Sequence, residues 1–137
     1  MTTSGDVPVV RSIVAVTAGF FTVMVLSAAA DVAFGSISPN AFDAQGQASA
    51  DGALFIKLAY EATFALIAGY VTARIAVRRP FNHALVMGAF VLAGRAFISV
   101  LTWDVAPLWF NLGVLAVIVP AALLGAKLSE LRARSVE

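Results

Sequence analysis

Apolar residues fall into four long runs, each near the twenty or so residues that a bilayer-spanning helix requires. They extend from Ser12 to Phe34, Ala53 to Val77, Asn82 to Thr102 and Val105 to Lys127. Little else remains: a short polar N-terminal stretch, an 18-residue loop from Gly35 to Gly52, two tight turns and a C-terminal tail. The pattern predicts one all-α domain over residues 1–137, an integral membrane four-helix bundle with up-down connections. Its crossing angles should be near those of coiled coils.

The interruptions have physical causes. The first loop, GSISPNAFDAQGQASADG, is rich in the Gly, Ser, Asp and Pro that punctuate helices. Pro80 disfavours helix at Arg79 and should close the second span. Asn82 is placed to cap the third helix, and Asp104 the fourth, with Pro107 tolerated in its first turn. Pro120, deep in the fourth run, should bend it. Ala28-Ala29-Ala30 has the look of a signal cleavage site. The apolar run before it, Ile13 to Ala30, is 18 residues, longer than the usual signal core, and is read as a retained span.

Composition sharpens this picture. Sixty-one per cent of the 137 residues are hydrophobic and 12% charged, against roughly half and a quarter in a soluble domain. A water-soluble globule of this size has too few charges to cover so much apolar surface. Net charge is +1, which does not suggest a nucleic-acid partner. Cysteine is absent, so disulfides, thiolate catalysis and cysteine-held metals are excluded. A single histidine cannot build a bis-His haem or a His-rich metal site. No P-loop, GxSxG, HExxH or GxGxxG motif is present. The expectation is a non-enzymatic protein without cofactor or metal, partnered by lipid and by a larger membrane complex or further copies of itself.

The charges also orient the chain. Arg11, Arg74, Arg78, Arg79, Lys127, Arg132 and Arg134 fall on one side if both termini are cytoplasmic, with only Asp6, Glu130 and Glu137 against them. Lys57 and Arg95 are left to five acids, Asp31, Asp43, Asp51, Glu61 and Asp104. The excess of basic residues places the termini inside. Trp103 and Trp109, at the outer turn, suit headgroup depth. His83 is expected at the inner surface.

Charges within spans need partners or a purpose. Counting about 1.5 Å per residue sets Glu61 and Arg95 at the same depth, roughly 4–6 Å outside the midplane, on consecutive helices. Glu61 shares a stripe with Lys57, Ala65, Ala68 and Thr72, and Arg95 with Ala84, Gly88, Ser99 and Thr102. Such small or polar stripes permit close helix contact. Leu58, Leu66, Phe90 and Phe97 occupy the faces expected to meet lipid. Small-xxx-small pairs at Ala15/Gly19, Gly69/Ala73, Ala84/Gly88 and Ala121/Gly125 suit packing within a bundle or between copies. Asp31, Lys57, Tyr60 and Asn111 fall in the same outer half. The candidate site is therefore the cluster Asp31, Lys57, Tyr60, Glu61, Arg95 and Asn111, either a structural network or an outward-facing ligand pocket.

The segment GYVTARIAVRRPFNHALVMGAFVLAG (Gly69 to Gly94), followed by Trp103, Pro107 and Trp109, resembles small four-helix proteins of bacterial inner membranes. The resemblance covers the second to fourth spans and implies that location; it brings no activity and no functional residues. The chain is similar in size to four-helix multidrug transporters. Their essential glutamate lies in the first span, where this chain has only Asp31, near the end. The first expectation is thus an accessory or structural membrane subunit. The alternative is a small transporter or ligand binder using Glu61 and Arg95.

Overall fold

The computed structural model describes residues 6–41, 51–76, 78–101, 103–104 and 106–135. It is all-helical: α1 (Asp6–Ile37), a short 3-10 turn (Pro39–Ala41), α2 (Asp51–Ile75), α3 (Pro80–Leu101) and α4 (Leu108–Arg134). All four helices are long and apolar enough to cross a membrane. The middle of the first loop, including Asp43, lies outside the described residues.

The helix ends differ from those expected. The first helix extends past Ser12 and Phe34 at both ends. The third starts at Pro80, two residues before Asn82, and the Arg79 carbonyl receives the amides of Asn82 and His83. Asn82 is therefore not its cap; proline at the first helical position loses only an amide that has no partner there. Arg79 reaches this turn with a positive φ of 50°. Asp104 is likewise no cap. It lies in a turn, and α4 opens at Leu108 behind Pro107, with no capping side chain. Helix α4 continues through Pro120, whose ring is exposed.

Helices α2 and α3 occupy the middle, each packing against both α1 and α4. The most extensive pairing is α2 with α4, and its cause is two glycines. A methyl group on Gly69 would overlap the Ala122 carbonyl, and one on Gly125 would overlap the Leu66 carbonyl. Backbones come this close only where side chains are absent, the arrangement that favours helix association where lipid is as apolar as the side chains. All four small-xxx-small pairs are buried within the chain.

This corrects the expected lipid faces. Phe90 and Phe97 are exposed, 61% and 66%. Leu58, however, packs against the core and approaches Gly113, and the Leu66 backbone abuts Gly125. The core is large-residue near one end (Leu54, Phe110, Val114, Ile118) and alanine-built near the other (Ala73, Ala84, Ala126). Trp109 stacks on Phe55 at 4.6 Å, tying the start of α4 to the start of α2. Trp103 is exposed.

Helix α1 is the least embedded, with Ala15 and Val23 as its only buried hydrophobic side chains among the described residues. Its early part meets late α2, where Arg11 Nε donates to the Ile75 carbonyl at 3.0 Å, satisfying an orphan at a helix end. Its late part meets early α2 through polar side chains.

Candidate functional site

A stripe of α2 supplies the centre of the cluster. Lys57, Glu61, Ala65, Ala68 and Thr72 recur at steps of three and four, so they share one face. The four from Glu61 to Thr72 are buried. Alanine on that face leaves room for α1 and α3 to approach, and Glu61 is where they bring polar atoms.

Arg95 on α3 donates from Nη2 to Glu61 Oε1 at 2.5 Å. Lys57 Nζ stands 3.8 Å from the same oxygen. Ser27 on α1 donates to Glu61 Oε2 at 3.1 Å. Both carboxylate oxygens thus have partners, from three helices. One turn along, Lys57 and the Tyr60 hydroxyl both donate to Asp31 on α1, and Lys57 also donates to Tyr60 Oη at 3.2 Å. The result is one network, Asp31–Tyr60–Lys57–Glu61–Arg95, with two cations and two carboxylates. It grades from partly exposed to buried: the Asp31 side chain is 39% exposed, Arg95 23% and Glu61 6%.

Five of the six expected residues are therefore brought together. Asn111 is not. It is buried, but its amide donates to the Ala106 carbonyl at 3.2 Å, serving the turn that opens α4. Ser27 was not among the expected site residues. A signal existed, since Ser27 and Asp31 are four apart and lie on one helical face. Thr102 lies outside the described residues.

A cleft of about 260 Å³ between α1 and α3 reaches this network. Asp31, Glu61 and Arg95 line it together with Ser27, Gly94 and apolar side chains such as Met24 and Ile98. Toward the other end the bundle closes over Ala65, Ala68, Thr72, Ala84 and Met87, all buried. The Thr72 hydroxyl is buried there with no hydrogen-bond partner among the described residues. No group of three or more His, Asp and Glu among the described residues is placed to hold a metal ion.

The Ser27 hydroxyl donates to a carboxylate that also meets Arg95 and Lys57. No protein-family model, curated protein or solved structure matches this chain.

Proposed function

We propose that this chain is a small, non-enzymatic multi-pass protein of the bacterial inner membrane. In this reading it is an accessory or structural subunit, an up-down bundle with both termini cytoplasmic. The observation that carries the reading is how the intramembrane charges are used. Each carboxylate meets a cation, and the contacts tie α1, the least embedded helix, to α2 and α3. Charged residues at membrane depth persist when they are paired inside the bundle. The contact order supports the up-down path, early α1 against late α2 and late α1 against early α2. The basic ends of α2 and α4, Arg74 with Arg132 and Arg134, then share the cytoplasmic side with Arg11.

The absence of cysteine makes the test clean. Single-cysteine variants Gly52→Cys and Ser135→Cys are treated in intact cells with a membrane-impermeant thiol reagent. Gly52→Cys should label from outside, and Ser135→Cys only after permeabilisation. The reverse pattern, or equal labelling, overturns the topology.

A second reading, a small-ligand binder or transporter, is favoured by the α1–α3 cleft that reaches Asp31, Glu61 and Arg95. Gly94 lines that cleft and has open space for a side chain. If Gly94→Cys labels from outside as fast as Gly52→Cys while Phe97→Cys does not, the cleft is a water-filled vestibule and this reading gains. Protection of both rejects it.

A further inference from the structure

The groove between α1 and α3 continues beyond the polar cluster. Past Phe20 it passes Val16, Thr17 and Phe90 and widens into a cavity of about 470 Å³. Its walls are mostly apolar; Ser12 on α1 with Asn82 and His83 on α3 stand at one end, and Thr17 lies further along. Two arginines flank that polar end without lining the cavity, and Arg11, whose Nε donates to the Ile75 carbonyl, keeps its terminal nitrogens for a further partner. Arg11 directly precedes Ser12, and Arg79 stands immediately before α3, its carbonyl 3.0 Å from His83 Nδ1. Both arginine side chains are exposed. The start of α3 adds the positive end of its dipole.

We propose that this groove binds an anionic phospholipid of the cytoplasmic leaflet. The phosphate is held by Arg11 and Arg79, and one acyl chain lies along Val16, Phe20 and Phe90. Charge complementarity decides the occupant: the apolar walls accept any hydrocarbon, but two exposed arginines flanking the polar end, outside the lining itself, and a helix N-terminus there favour a negative headgroup. Length agrees. Ser12 to Phe20 spans about 12 Å at 1.5 Å per residue, close to a single leaflet's share, about 15 Å, of the hydrocarbon core. The proposal rests on the membrane reading above.

The test compares retention of phosphatidylglycerol and phosphatidylcholine by the full chain in detergent, read by native mass spectrometry, for the parent and three variants. The parent should retain phosphatidylglycerol preferentially. Arg11→Gln with Arg79→Gln should bind it roughly 30-fold more weakly, from the attraction of two basic residues to an anionic headgroup. Val86→Trp fills the cavity, leaves every charge in place and should lose binding to a similar degree. Arg132→Gln with Arg134→Gln removes the same charge from the exposed end of α4 and should stay within about threefold of the parent. Equal loss in both arginine pairs, or unchanged binding by Val86→Trp, overturns the proposal. Should the double arginine variant unfold, judged by its helical circular dichroism, Val86→Trp decides alone. A chain that extracts without detergent defeats the membrane reading itself. One that needs detergent but shows no headgroup preference defeats only the lipid site.

Discussion

Removing the two charges of the central pair singly and together separates an ion pair from two residues that merely lie side by side. Glu61 is the only carboxylate in contact with Arg95 among the described residues. Glu61→Gln therefore strands a guanidinium that is three-quarters buried, and breaking a buried pair this way costs about 3–5 kcal/mol. The reverse change is milder. In Arg95→Met, Glu61 keeps Ser27 at 3.1 Å and Lys57 at 3.8 Å, so a cost of about 2 kcal/mol is expected, the low end for a partly compensated group. The double variant leaves neither charge behind. Lys57, Tyr60 and Asp31 still satisfy one another, and its stability should return to within about 2 kcal/mol of the parent. The coupling energy is then at least about 3 kcal/mol. Two charges near 4 Å apart at an effective dielectric of 20 give about 4 kcal/mol. A neutral interhelical hydrogen bond in a membrane averages about 0.6 and reaches about 1.7. The measurement is equilibrium unfolding in mixed micelles, followed by helical circular dichroism. Costs that add within about 0.5 kcal/mol would show the pair is not coupled and would remove the basis of the structural reading.

Other outcomes follow from the packing. Gly125→Ala, whose methyl group would overlap the Leu66 carbonyl, should lower stability by about 1–3 kcal/mol. Gly94→Ala, with open space at its Cβ, should be neutral or gain up to about 1 kcal/mol; equal effects on thermal midpoint would refute the close α2–α4 approach. Thr72→Val removes a buried hydroxyl that lacks a partner and should be neutral or stabilising, since such groups cost about 1–3 kcal/mol. A clear loss of stability would reveal a bond the structure does not contain. Asn111→Ala should cost about 1 kcal/mol through its bond to Ala106, and its effect should add to that of Glu61→Gln. Strong coupling between them would place Asn111 in the network after all.

Four helices were legible because membrane-spanning length is a one-dimensional count. A run of about twenty apolar residues is a helix wherever water is absent to bond the backbone. The matched depth of Glu61 and Arg95 came from the same arithmetic, residues multiplied by rise. Rotation about each helix axis was only partly legible. The Glu61 stripe is polar or small and announces itself, whereas Leu58 and Leu66 look the same facing lipid or facing α4. Tertiary structure alone decided that α2 packs most extensively on α4 through Gly69 and Gly125. It alone turned Asn111 to the Ala106 carbonyl and left a groove between α1 and α3. In the proposed membrane setting the reason is that lipid and protein interior are equally apolar. Hydrophobicity tells such a helix to leave water but not which neighbour to face, and that choice falls to close packing and to the few charges that must meet.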